Sequence, residues 1–284
     1  MKKDHPILKL CLLLEVSASG YYDWQRRRSC PGQRAMEDQV LAQEIGRIHA
    51  RSRETYGAPR VEKELRQKGR CHGRNRVARL MKEQGLCGRQ KGRYRVQTTD
   101  SNHDQPIAPN RLAEAPKATA PNQRWVGDTT ELRVGESGRV FLAAILDLYS
   151  RFVVGWALSA VNDRQLVMRA LEMALRRRCP EAGLLHHSDQ GSPYASEDYR
   201  DLLAANRIKC SMSRRGNCYD NAVAESWFST LKSELGERFE SYAETKEQLF
   251  DYIEVFYNQR RRHSALDYVN PGEYERTERK ALAA

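Results

Sequence analysis

The sequence predicts an α/β fold, a mixed five-stranded sheet with flanking helices, placed behind an all-α region of helix-turn-helix type. Three observations carry this. Charge is divided unevenly along the 284 residues: residues 1–99 hold 23 Lys and Arg against 10 Asp and Glu, and the remainder holds 25 against 27. The first third shows only helical periodicities, whereas the chain after Asn122 mixes β-like runs with helix-like ones. Between them, residues 97–122 are rich in Pro, Asn, Thr and Ala, with Pro106, Pro109, Pro116 and Pro121, the composition of an extended connection. The expected organisation is a helical region over 1–96, a linker over 97–122 and a sheet-containing domain with a C-terminal helical extension over 123–284.

In the first region, residues 6–16 have the apolar content of a short helix, and Ser17 to Gly20 form a turn with capping residues before YYDWQRRR begins another. Met36, Val40, Leu41, Ile45 and Ile48 make one stripe of a longer helix. In RETYGAPRVEKELRQKG, Pro59 fits a first helical turn, Val61 and Leu65 face inward, and Gly69 stops the helix. RNRVARLMKEQG then buries Val77, Leu80 and Met81, with Arg76, Arg79 and Lys82 along another side, as a helix-turn-helix presents cations to DNA. A basic excess confined to this third points to a polyanion-binding module, because clustered cations release counterions from a phosphate backbone. The tail GRQKGRYRV interleaves Tyr94 with cations and suits the same partner.

Other classes recede on composition. The seven cysteines (11, 30, 71, 87, 179, 210 and 218) are odd in number, and no pair has zinc-ligand or redox spacing. They read as reduced thiols of a cytoplasmic protein. Lys9 and Glu15 interrupt the apolar N-terminal run, which argues against a signal peptide. No run of about 18 apolar residues exists, so no membrane span is expected.

The second domain opens with QRWVGDTTELRV, VFLAAILDLYS and RFVVGWALS, three strand candidates in an antiparallel meander. Asp163 to Arg178 has helical spacing, LLHHSDQGSPY reads as a short buried strand ending in a turn, a helix surrounds Tyr199 to Ala205, and RIKCSMS supplies a fifth strand. The stretch 213–236 is a helix that Asn217 or Asp220 starts and Gly236 closes. Ala222, Phe228, Leu231 and Leu235 face a core, and Asn221, Glu225 and Lys232 lie on another side. The order matches a ribonuclease-H-like fold, and order by itself leaves other mixed sheets open.

This topology can bring three carboxylates together: Asp128 in the first strand, Asp189 just past the fourth and Glu225 on the last helix. Each has a bland account as a turn former or a solvated acid. Together they would repel one another at neutral pH unless a cation intervenes, and hard divalent ions accept carboxylate oxygens while keeping places for water and phosphate. Such a cluster suits two-metal phosphoryl transfer.

The motifs WVGDTT, HHSDQGSPY and SRRGNCYDNAVAESWFSTLKSEL resemble the OrfB-type DDE transposases of the IS3 family of bacterial insertion sequences, relatives of retroviral integrases. Thirty-five residues separate Asp189 from Glu225, as in that family's DD(35)E signature. ETYGAPRVEKELRQKG and YNQRRRHSALDYVNPGEYE are also similar, so the likeness covers nearly the whole chain. One departure is DTTELRV, where a more apolar continuation is expected after Asp128. The resemblance implies that Asp128, Asp189 and Glu225 bind magnesium, with manganese as a substitute, and catalyse strand cleavage and transfer. It makes Lys232 a DNA contact. The implied partners are double-stranded DNA (terminal inverted repeats and target), an upstream OrfA product or fusion, and further copies of the chain on DNA, in the bacterial cytoplasm at the nucleoid.

Neighbouring residues extend this reading. Arg214, Arg215 and Asn217 can grip phosphate, and the cluster Arg260, Arg261, Arg262 and His263 can continue a DNA path or form a charged face. His187 is either a substrate or metal neighbour or a strand-end His satisfied by the backbone. Asp147 favours a capping role over metal ligation. The rival to a transposase is a non-catalytic DNA-binding regulator, or a decayed element protein that occupies the ends.

Overall fold

The computed structural model describes residues 6–29, 32–89, 104–214 and 221–282. Contacts divide the chain into two units, Met1–Gly88 and Arg89–Ala284.

The first unit is helical: α1 (Ile7–Leu13), α2 (Ala18–Ser29), α3 (Gln33–Arg51), α4 (Ala58–Gln67) and α5 (Arg74–Glu83). The stop after α1 is tighter than a loop. Glu15 takes a left-handed φ of 54°, and Ser17 Oγ accepts from the Gly20 N–H at 3.0 Å, so α2 begins inside the segment expected to be a turn. Leu41, Ile45 and Ile48 of α3 meet Val61 and Leu65 of α4 and Val77, Leu80 and Met81 of α5 in the buried centre. Met36 and Val40, expected in the same stripe, stand more than half exposed. Pro59 sits in the first turn of α4 and Gly69 (φ 75°) follows its end.

The second unit carries the meander β1 (Arg124–Val134), β2 (Gly138–Asp147) and β3 (Val153–Ser159), then α6 (Arg164–Arg178), β4 (Leu185–Ser188), α7 (Ser192–Ala195), α8 (Glu197–Ala205), β5 (Lys209–Met212) and α9 (Ala222–Glu234). The sheet order is β3-β2-β1-β4-β5, antiparallel through the meander and parallel from β1 to β5. A sixth strand that the sequence did not announce, β6 (Arg238–Phe239), adds parallel to the far end of β1. Trp125, Ala143 and Ile145 on one face pack with Leu166, Ala170, Leu171 and Ala174 of α6 and with Tyr194, Tyr199 and Leu203. That packing is close: a Cβ at Gly155 of β3 would stand 2.2 Å from the Ala170 carbonyl oxygen. Asp163 caps α6 through the Leu166 N–H at 3.0 Å.

The expected linker is not free chain throughout. The Arg111 and Leu112 N–H groups donate to Ser211 Oγ, and Ala108 packs on the core. At the other end, α10 (Tyr242–Phe250) runs into a π-helical stretch, Asp251–Tyr257, and α11 (Pro271–Leu282) closes the unit. Asn258 there pairs with the backbone of edge strand β3, accepting from the Val153 N–H and donating to its carbonyl. Glu275 of α11 receives both nitrogens of Arg178 and the Ser150 hydroxyl. The five cysteines among the described residues are free thiols, and no described helix is long and apolar enough to cross a membrane.

Candidate active site

Register places the first two acids. The parallel pairing of β1 with β4 ends at Val126 opposite His187, and two residues further along each chain lie Asp128 and Asp189. Side chains alternate along a strand, so Asp128 stands on the face of Val126, and Asp189 follows the end of β4 where the two strands part. Strand ends of this kind are where α/β sheets collect ligands. Backbone amides hold each acid: the Thr129 N–H donates to Asp128 Oδ1 at 2.7 Å and the Gly191 N–H to Asp189 Oδ1 at 3.0 Å. Gln190 then ties this turn to the Ser213 carbonyl at 2.9 Å.

Glu225 lies in the first turn of α9, exposed, on the helix that packs against β1 and β2. Burial pushes the Asp128 carboxyl well above the usual carboxylate range, and the charges of Asp189 and Glu225 push it the same way, against the Thr129 hydrogen bond. The three acids therefore share one field. Among the described residues no three His, Cys, Asp or Glu side chains stand close enough to grip a single ion together. The donor set itself is all carboxylate oxygen, the chemistry that hard divalent cations take, and a cation is what would relieve the repulsion at Asp128.

Behind Asp128 the sheet is closely packed. A Cβ at Gly127 would lie 2.8 Å from the His186 ring, so only glycine fits there. His186 pairs through Nε2 with the Tyr199 hydroxyl at 2.7 Å, and burial, with His187 beside it, lowers its pKa to about 3. His187 is fully buried with Nδ1 2.8 Å from Ser211 Oγ, a structural position. Asp147 accepts from the N–H groups of Asn122, Tyr149 and Ser150, so it caps the β2–β3 turn.

The expected DNA contacts divide. Arg76 and Arg79 both reach Asp38 of α3, at 2.7 and 2.5 Å, and Arg79 also reaches Glu83. These bonds lower the Asp38 pKa and raise both guanidinium values. The exposed residues of α5 are Arg74, Asn75, Ala78, Arg79, Lys82 and Glu83; Arg79 and Glu83 pair with each other, which leaves Arg74, Asn75, Ala78 and Lys82 at i, i+1, i+4 and i+8 along the rest of that side. Arg261 corrects a second expectation. It is buried on Glu234, with bonds of 2.7 and 2.6 Å, and Tyr252 donates to the same carboxylate. Burial by itself would lower the Arg261 guanidinium, but the Glu234 bonds and charge more than offset this and leave it raised. Arg262 is also buried, beside the Tyr268 carbonyl and Glu273, and Arg260 is exposed. Arg214 is exposed; Arg215, Asn217 and Asp220 lie outside the described residues. In α9, Ala222 is exposed and Trp227, not expected in the core, is buried with Phe228 and Leu231. Lys232 is half-buried; burial lowers its pKa, Glu237 and Glu131 oppose this, and Arg133 adds to it.

Comparison with known proteins agrees with this architecture. Residues 118–218 match the integrase core domain family, residues 206–271 a second integrase core domain model, and residues 36–94 an HTH-like domain. The chain is 45% identical to the insertion element IS600 uncharacterized 31 kDa protein of Shigella sonnei over 93% of its own length and 97% of that protein's. It is 38% identical to transposase InsF for insertion sequence IS3A of Escherichia coli K12, over 96% and 94%. The solved HTLV-2 integrase catalytic core domain in complex with magnesium overlaps 56% of this chain and 99% of its own at 15% identity and a TM-score of 0.44, too loosely to carry weight. Near-full-length identity of this order, with an RNase-H-like integrase core and an HTH-like region in the same chain, makes this protein a member of the IS3-family insertion-sequence transposases.

Proposed function

We propose that Asp128, Asp189 and Glu225 are the catalytic acids of this transposase and together hold divalent magnesium, which manganese can replace. The observation that supports this reading is the β1/β4 register, which brings Asp128 and Asp189 to the same end of two neighbouring strands, with α9 packed against β1. Divalent ions bound there would supply charge for the attacking and leaving oxygens of an in-line displacement. The chain's own part is positional. Thr129 and Gly191 N–H groups fix two carboxylates, and Gln190 fixes the turn between Asp189 and the segment leading to α9. Glu225, exposed in the first turn of α9, would complete the set of carboxylates around such ions. No protein nucleophile is needed: a water oxygen displaces a 3′ oxygen from phosphorus to leave a 3′ hydroxyl, and that hydroxyl displaces a 3′ oxygen at a second phosphodiester.

The substrates in this reading are the element's terminal inverted repeats and a target duplex, bound by several copies of the chain. Residues 1–96 serve as the DNA-binding region, 97–122 as the connection and 123–284 as the catalytic core. Lys82, with Arg74 and Asn75, forms the DNA-facing side of α5, and Arg76 and Arg79 hold α5 on α3. Arg214, Arg215, Lys232 and Arg260 are further phosphate contacts. An upstream OrfA product contributes end recognition, and the complex works at the nucleoid.

The test is incubation of the purified chain with labelled element-end DNA and magnesium, with and without the upstream product. Cleavage and strand transfer are expected with wild type and are expected to vanish in Asp189→Asn with DNA binding retained. Strand transfer that survives Asp189→Asn would sink the metal mechanism, and binding without cleavage in every condition would favour a regulator.

A further inference from the structure

Three arginines from three different strands stand in one row at the far end of β1. Arg133 of β1 is directly opposite Arg139 of β2, and on its other side is in register with Arg238 of β6. Residues paired in this way share a face, so the three side chains project together, about 10 Å from first to last at the usual strand spacing. Like charges directly opposite across strands cost stability, so packing does not account for the row. Partial neutralisation is local: Glu131 approaches Arg139 at 3.6 Å, and among the described residues Arg133 and Arg238 form no ion pair. All three line an open cavity of about 380 Å³ with Glu131, Glu136, Ser137 and Gly138. Lys232 lies close enough to feel both Glu131 and Arg133.

We infer that Arg133, Arg139 and Arg238 form a phosphate-binding row for the backbone of duplex DNA. Guanidinium forks suit phosphate oxygens, and a duplex offers one phosphate per strand every 3.4 Å or so along its axis, so a row of about 10 Å meets successive phosphates where a single small anion would leave arginines unused. Alternation along β1 puts the row on the face opposite Asp128, five residues away. The DNA it holds is therefore a segment other than the one at the acids, passing around the β1–β2 hairpin. Backbone contact of this kind positions a duplex without reading its sequence.

The test is fluorescence anisotropy of a labelled duplex of unrelated sequence with the full chain, titrated between roughly 50 and 200 mM salt. Arg133→Gln/Arg139→Gln/Arg238→Gln is compared with wild type, with Asp189→Asn and with single Arg133→Gln. Each lost phosphate contact removes about 0.9 from the slope of log affinity against log salt, so the triple variant is expected to flatten that slope by roughly two to three and to bind at least tenfold more weakly at low salt. Its melting temperature is expected to stay level or rise, which separates lost contact from lost fold, and Asp189→Asn is expected to keep the full slope. An unchanged slope in the triple variant, including the case in which wild type binds no better than the variant, overturns the row. Loss of strand transfer in Asp189→Asn stands or falls separately, so a failure of the acid site is distinguishable from a failure of this surface.

Discussion

Two sets of arginines in this molecule have opposite surroundings. Arg76, Arg79 and Arg261 sit in dense basic runs, and each is met by a carboxylate from another element: Asp38 from α3 for the first two, Glu234 from α9 for the third. Arg133, Arg139 and Arg238 are scattered in the sequence, yet the sheet assembles them side by side, and of the three only Arg139 meets an acid, Glu131 at 3.6 Å, among the described residues. A run of charges on one helix tells how many cations are available, and only the neighbouring elements decide whether they are spent inside the protein. The first set holds the protein together, and the second faces outward.

The sharpest way to break the comparison is Arg261→Ala. Removing it takes the guanidinium away from a buried carboxylate, so the core unit is expected to lose about 3–5 kcal/mol in denaturant unfolding. A loss confined to DNA affinity, with stability intact, would return Arg261 to the surface set. Next in size is a charge that burial forbids. His186, held neutral with its pKa lowered to about 3 from 6.5, takes up a proton more readily when unfolded, so stability is complete above about pH 6.5 and falls toward pH 3 by up to about 1.4 kcal/mol per pH unit. Urea titrations across that range are expected to show this slope in wild type and to lose it in His186→Gln; an identical slope in both would place the proton elsewhere.

Smaller effects separate the two sides of α5. Arg76→Ala/Arg79→Ala is expected to lower the melting temperature of the N-terminal unit modestly and to leave DNA affinity nearer wild type than Arg74→Ala/Lys82→Ala does, with the order of the two readouts reversed in the second pair. Smallest, and opposite in sign, is Arg133→Gln, which is expected to raise stability by about 0.2–1 kcal/mol by relieving like charges across strands. A drop in melting temperature would mean that the row has partners in solution.

Most of the second unit's elements are legible in the sequence. The meander, the capped α6 and the buried β4 follow from apolar runs, Asp163 and the HHSD segment, because each is a local pattern with a local cause. Asp128, Asp189 and Glu225 were singled out by residue type and by their places in the expected topology, and the thirty-five residues between the last two pointed to the IS3-family pattern. The polar DTTELRV departure has a structural reason at its last two residues, where exposed Arg133 belongs to the arginine row and Arg133 and Val134 pair with β6. Met36 and Val40 misled the helical stripe, since periodicity marks an apolar side and does not say whether another element reaches it.

What the sequence determined by itself was most of the elements and the family pattern, encoded in local spacing and side-chain chemistry. What only the tertiary structure decided was pairing: Asp128 beside Asp189 through parallel register, Arg261 against Glu234, Arg76 and Arg79 against Asp38, and three arginines from three strands in one row. The physical reason is that charge and burial depend on distance in space. A contact between residues far apart in the chain has no signature in either one's neighbourhood until the sheet and helices close around them.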